Sequence, residues 1–265
     1  MDASLINAAM GFYFIACVTG ILHLLRGAGN YYRISLAVST GGFAALSLAL
    51  ALRWIDAGHP PLTSLYETLL FFALASWFTA LLLIIPRRMR ELAILSPCIS
   101  LVCLGYASTM DASIRPLFPA LRSNWLAIHV AASFLGYAGF TAAFIAGFGL
   151  AVALWRARPA EGWERASVLC VRFGFIFLTY GILTGSVWAQ EAWTTYWGWD
   201  PKEIWALLTW LFYLSFLGIR ARRDKGRPEE RMPLLTALLS VGGFLFVLFT
   251  YFGVSFLLKS LHSYI

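Results

Sequence analysis

Two residue types in this chain have side chains and spacing suited to chemistry: a cluster of tryptophans and four histidines. The tryptophans gather in Trp188-Ala-Gln-Glu-Ala-Trp193-Thr-Thr-Tyr196-Trp197-Gly198-Trp199-Asp200, with Trp205 and Trp210 close behind, so that six of the chain's 11 Trp fall within 23 residues. Indoles offer broad apolar faces that stack on flat rings and an N–H that donates one hydrogen bond. A platform for a flat aromatic ligand is one reading of such a cluster. An aromatic belt at a membrane surface is the other. A belt spreads its tryptophans over many helix ends, whereas these are concentrated in one segment. Composition alone leaves both readings open.

Which membrane face these residues share depends on the elements that carry them. Of the 265 residues, 60% are hydrophobic and 12% charged, against about 25% charged in soluble domains. The apolar residues come in continuous runs of about 20, enough to cross a hydrocarbon core of about 30 Å as helices. Eight spans are expected, at 5–26, 34–54, 64–86, 91–108, 124–155, 167–189, 202–220 and 233–260. No basic segment precedes the first run, so it is expected to be a span and not a cleaved leader. No internal repeat or long linker breaks the pattern, and one membrane domain over 1–265 is the simplest organisation.

The net charge of +7 would suit nucleic acid if it were clustered on one surface. Instead 15 of the 20 Lys and Arg lie in four segments: Arg26 and Arg33; Arg87, Arg88 and Arg90; Arg156, Arg158, Arg165 and Arg172; and six between Arg220 and Arg231. These alternate with the other connections, as the positive-inside rule requires of cytoplasmic loops. Both termini are then expected on the outer side, and no nucleic-acid partner is expected. The cysteines, Cys17, Cys98, Cys103 and Cys170, form no Cys-x-x-Cys pair and read as small buried apolar residues.

With that topology three of the four histidines fall on the face that carries the tryptophan segment. His129 lies about 9 Å into the fifth span, counted at 1.5 Å per residue, with Trp125 one turn earlier on the same face. His262 ends the eighth span, and His59 sits in the first outer connection. Two imidazoles at one face can ligate a haem iron from both sides while indoles cover the macrocycle. Arg53, Arg115, Arg122, Lys202 and Lys259 stand on the same side and suit propionates. An intramembrane histidine also serves as a hydrogen-bonding residue between helices. Ligation is favoured for His129 and His262, and a loop or supporting role for His59. His23, near the opposite face, reads as structural. Asp200 and Glu203 have the spacing of a helix cap around Pro201, as do Ser64 and Glu67, and Ser123 or Asn124 suits the start of the fifth span.

The stretch Trp197-Gly-Trp-Asp-Pro-Lys-Glu-Ile-Trp-Ala-Leu-Leu-Thr-Trp210 resembles the tryptophan-rich WWD signature of the haem-handling proteins. Its Asp-Pro-Lys-Glu-x-Trp-Ala-Leu continuation is similar to the CcsA (ResC) branch, rather than the CcmC or CcmF branches. Gly58-His-Pro-Pro-Leu-Thr-Ser-Leu-Tyr-Glu67, Trp125-Leu-Ala-Ile-His-Val130 and Tyr251-Phe-Gly-Val-Ser-Phe-Leu-Leu-Lys-Ser-Leu-His-Ser-Tyr264 fit the same branch. The resemblance implies system II cytochrome c biogenesis in the plasma (inner) membrane. It implies haem b as cargo, His129 and His262 as its axial ligands, and a platform over 188–210 that includes Trp188, Trp193, Trp197, Trp199, Asp200 and Trp205, with Trp125 beside it. A CcsB (ResB)-type membrane partner and apocytochrome c follow from it, as does haem attachment at Cys-x-x-Cys-His by the complex. The sequence departs from the family at Gly218, where a histidine of an inner haem site is usual; His23, near the same membrane face, is one candidate to take its place in that site, and the partner supplying both ligands is the other. It also departs at Ala189, Gln190, Thr194 and Thr195. The competing expectation is a haem-binding regulatory or assembly factor without synthase activity. A secondary transporter ranks last, because repeats and broken helices with midplane charges are not evident.

Overall fold

The computed structural model describes residues 2–87, 89–224 and 232–258. All regular structure among them is helical, and eight of the helices are long and apolar enough to cross a membrane. The chain divides into two compact units, Met1–Phe118 and Pro119–Ile265.

The first unit holds α1 (Asp2–Arg26), α2 (Gly29–Ala57), α3 (Leu65–Thr79) and α4 (Arg90–Ala107). The turn between α1 and α2 is short because Gly27 takes a left-handed φ of 70°, which a residue with a Cβ adopts at a cost. Ser35 Oγ then donates to the Ala16 carbonyl at 2.9 Å, and Ser100 of α4 donates to the Ala73 carbonyl of α3 at 2.8 Å. The helix α3 does not end cleanly. It widens into a π turn at Ala80–Ile84 and tightens into a 3-10 turn at Ile85–Arg87. Pro86 explains the change, since it has no N–H to give and its ring crowds the carbonyl one turn back.

Ser64 caps α3 by accepting from the Glu67 N–H at 3.2 Å. The return contact runs one residue further back than a reciprocal box requires: Glu67 Oε2 accepts from the N–H of Thr63 at 3.0 Å. The shift leaves Glu67 Oε1 for Arg53, whose Nε donates to it at 3.0 Å. Arg53 is 2% exposed and also donates through Nη1 to the Ala112 carbonyl at 2.9 Å and to Asp2 Oδ2 at 3.5 Å. One guanidinium therefore joins the start of α1, the end of α2, the start of α3 and the 109–118 segment. The same segment is ordered by Asp111, which pairs with Arg115 and accepts from Ser113 N–H. Arg115 above all holds the Asp111 carboxyl down at about 2.

The second unit holds α5 (Asn124–Trp155), α6 (Glu161–Trp193), α7 (Pro201–Asp224) and α8 (Met232–Leu248). The last continues through a π turn at Phe249–Gly253 into a final turn at Val254–Leu257. The helices α5 and α6 are 32 and 33 residues long. At 1.5 Å per residue each is about 48 Å, well beyond the hydrocarbon thickness of about 30 Å. The apolar run 167–189 marks only the middle of α6. Its ends are set by Glu161 and Glu164 in the first turn, favourable at the positive end of a helix, and by Thr194, whose left-handed φ of 60° closes the last turn.

The two long helices meet along a seam with no room for side chains. A Cβ placed on Gly139 would stand 2.8 Å from the Gly174 backbone, and one on Gly181 would stand 2.5 Å from Ser133 Oγ. At the far end of the same helices Arg220 of α7 pairs with Glu164 of α6 and donates to Thr236 of α8 at 3.4 Å. Ser167 and Ser240 share a hydrogen bond of 2.6 Å one turn deeper. The cysteines behave as small apolar residues: Cys17, Cys103 and Cys170 are buried and Cys98 half-buried.

Three outcomes are expected. Arg53→Ala leaves Glu67 buried without its counter-charge and costs about 3–5 kcal/mol, read as a large loss of thermal stability in detergent. Gly139→Ala pushes against backbone that cannot move aside and costs about 1–3 kcal/mol or more. Gly218→Ala, with nothing within 4 Å of the new methyl, leaves the melting profile unchanged.

Candidate functional site

The end of α6, the 194–200 segment and the start of α7 bring the sequence-selected tryptophans to one end of the second unit, together with the start of α5. Ser123 caps α5, accepting from the Trp125 N–H at 3.1 Å and donating to Glu191 Oε2 at 2.5 Å. That second bond ties the start of α5 to the last turns of α6. His129 follows one and a half turns in. Its Nδ1 is 2.6 Å from the Gly181 carbonyl. A carbonyl only accepts, so Nδ1 carries a proton. The imidazole lies nearly parallel to the Trp188 indole, with centroids 6.0 Å apart and planes 13° from coplanar.

The tryptophans divide by what they do. Trp188 is 1% exposed, donates through Nε1 to the Ala120 carbonyl at 2.9 Å and meets Trp193 edge-on at 4.7 Å. Trp205 packs on Phe249 in the π turn, with centroids 4.2 Å apart. Trp210 donates to Thr179 Oγ1 at 2.8 Å. These three hold helices together. Trp197 and Trp199 meet edge to face at 5.8 Å, and Trp199 is 67% exposed. The Trp197 Nε1 is buried with no hydrogen-bond partner among the described residues, which costs free energy unless something accepts from it. Trp125, one turn before His129, is 39% exposed.

The segment is rigid because its turn into α7 is capped twice. Asp200 Oδ1 accepts from the Lys202 N–H at 2.9 Å. Glu203 Oε2 accepts from the N–H groups of Gly198 and Asp200, at 2.9 and 3.1 Å. Trp199 takes a left-handed φ of 57° between them, and the two caps hold it there against its steric cost. Asp200 and Glu203 thus form the cap that their spacing suggests. Lys202 is half-buried and its Nζ donates to Ser255, in the final turn Val254–Leu257, at 3.3 Å.

Arg122 is exposed beside the Pro119–Leu121 turn. In the first unit Arg53 is engaged as described, the half-buried His59 bonds the Pro60 carbonyl at 3.1 Å, and His23 bonds the Ala28 carbonyl at 3.0 Å beside Tyr32. His262 and Lys259 lie outside the described residues. Among the described residues no three His, Cys, Asp or Glu side chains gather as a metal cage; a macrocycle that supplies four nitrogens of its own asks for one or two. Sequence reasoning did not find Gly181, Gly185 or Glu191. The seven-residue spacing of Gly174 and Gly181 was the available sign of a close helix seam.

The comparisons with known proteins agree with this architecture. Residues 62–262 match the family model described as cytochrome C assembly protein, across the boundary between the two units. The chain is 37% identical over 251 residues to the cytochrome c biogenesis protein CcsA of Chlamydomonas reinhardtii, covering 88% of this chain and 67% of that protein. It is 31% identical over 316 residues to CcsA of Pyropia yezoensis, covering 100% and 97%. The solved structure of cytochrome c heme lyase CcmF shares the fold, with a TM-score of 0.71 at 19% identity over 98% of this chain. The chain spans about half, 47%, of that larger structure. The chain belongs to the cytochrome c assembly protein family and is a CcsA-type protein of cytochrome c biogenesis.

Proposed function

We propose that this chain is the haem-handling subunit of a system II cytochrome c synthase, which presents reduced haem b at the outer face of the plasma membrane for attachment to apocytochrome c. Haem is cargo here, not a resident cofactor. The observation that carries the reading is the His129 imidazole, with its Nδ1 on a backbone carbonyl and a parallel indole alongside, so that Nε2 is the nitrogen that would meet iron. A histidine that ligates a metal almost always gives its other nitrogen to such an acceptor. The buried Trp197 N–H, without a partner among the described residues, and the exposed Trp199 face suit a large flat ligand with acceptor groups at its rim.

In this reading His129 and His262 are the axial ligands. Trp188 and Trp193 wall the imidazole, and Trp197, Trp199 and Trp125 offer the open aromatic faces. Trp205, Asp200 and Glu203 hold the segment in place. Lys202, Arg122 and Lys259 provide cationic groups for the propionates, while Arg53 and His59 support their own connections. Two imidazoles on the iron protect reduced haem until the histidine of the apocytochrome Cys-x-x-Cys-His replaces one of them. A CcsB-type membrane partner completes the synthase. The eight spans act as one membrane domain with both termini outside, which the alternating basic segments support.

The deciding experiment is an absorption spectrum of the detergent-purified protein, oxidised and reduced, beside His129→Ala and His262→Ala. A low-spin bis-histidine spectrum that each substitution weakens and added imidazole restores is the expected result. Haem indifferent to both substitutions contradicts the ligand assignment; a haem-free protein favours an assembly factor of the same family. A cap and an acid–base residue also separate at Glu203. Glu203→Gln keeps an acceptor for the two N–H groups and retains haem, whereas Glu203→Ala loses about 0.5–2 kcal/mol of capping and the haem signal with it. Loss in the Gln variant would point to a charge-dependent role.

A further inference from the structure

The glycines of α6 do not all serve the same neighbour. Those at 174 and 181 are bare because α5 passes too close: a Cβ at Gly174 would meet the Phe140 ring at 2.6 Å, and one at Gly181 would meet Ser133. Gly185 differs. The three nearest atoms to a Cβ there all belong to the His129 ring, Nδ1 at 2.5 Å, Cε1 at 2.7 Å and Cγ at 3.2 Å. At 185 the imidazole is the first thing a side chain would meet.

The ring is then held on three sides along α6. The Gly181 carbonyl accepts from its Nδ1–H at 2.6 Å. The bare Cα of Gly185 lies under its face. Trp188, one turn on, lies nearly parallel to it and is itself fixed by the Ala120 carbonyl. A methyl at 185 forces the ring off this surface, breaking the Nδ1 bond and releasing both the tautomer and the plane.

We infer that Gly181 and Gly185 are positioning residues for His129: the carbonyl of the first sets which nitrogen is presented, and the missing side chain of the second sets the plane in which it is presented. This rests on the haem reading only in naming iron as what Nε2 meets. Ring placement itself can be measured without haem.

The test compares the full-length protein with Gly185→Ala, His129→Gly and the double variant, all in detergent. Gly185→Ala is expected to retain haem about 10-fold less well, the loss usual for a partner that orients a metal-ligating histidine. In the His129→Gly background with added imidazole, the methyl at 185 has no tethered ring to displace, so the double variant matches His129→Gly. Modification of His129 by diethyl pyrocarbonate, followed on its peptide by mass, is expected to change several-fold in Gly185→Ala with or without haem. Wild-type haem retention and wild-type modification rates in Gly185→Ala overturn the inference. A defect that persists in the double variant also overturns it, by assigning Gly185 to helix packing. If Gly185→Ala fails to fold while the double variant folds, the ring clash is the cause and the inference stands; if neither folds, it falls. A wild-type protein without haem, or His129→Gly with undiminished haem, refutes the haem reading, and the modification rates still decide the placement of the ring.

Discussion

A histidine inside a membrane helix is a weak ligand unless something fixes its tautomer and its plane, and here the hydrogen bond from His129 to the Gly181 carbonyl does so. A carbonyl in mid-helix is already engaged one turn along its own helix. It can take a second donor only if the neighbouring helix brings that donor very close. The absence of side chains at Gly139, Gly174 and Gly181 provides that approach. In hydrocarbon the hydrophobic effect does not drive helices together, so dispersion across such a seam and the hydrogen bonds that cross it are the main sources of adhesion. The long hairpin of α5 and α6 is thus both the rigid support of the second unit and the element that aims the imidazole.

The rest of the second unit keeps that hairpin and the tryptophan segment in register. At one end Ser123 and Glu191 tie the start of α5 to the end of α6. At the other Arg220 joins Glu164 and Thr236, three helices through one guanidinium. The segment between α6 and α7 gains its shape from two carboxylates acting on backbone N–H groups, not from apolar packing. Trp205 reaches the π turn of α8, where Thr250 also bonds Thr209 at 3.0 Å. The first unit uses the same device at Arg53, where the cost of burying a charge is offset by several acceptors at once.

Hydropathy made all eight spans legible, because a continuous apolar run has few alternatives in a bilayer. Their ends were legible where a cap marked them, as at Ser64, Ser123 and Asp200. The true length of α6 was not, because its first and last turns are polar and carry no apolar signal. The π turns were equally silent, although Pro86 marks a reason for the first. At the candidate site, His129 and Trp188 were legible as residue types but their contact was not: it depends on glycines whose meaning appears only when the opposite helix is known. Trp205 and Trp210 read as platform or belt in sequence, yet their contacts are with neighbouring helices. Arg53 read as a cation for a ligand; its contact with Glu67 was not legible, because spacing cannot reveal a pairing between separate helices.

The most direct test is a structure of the haem-loaded protein at a resolution that shows axial ligands. The account expects His129 Nε2 on the iron, its Nδ1 still against the Gly181 carbonyl and the indole of Trp188 still parallel to it. Iron held through other residues, or a His129 ring turned away from Gly181 in the loaded state, would contradict it.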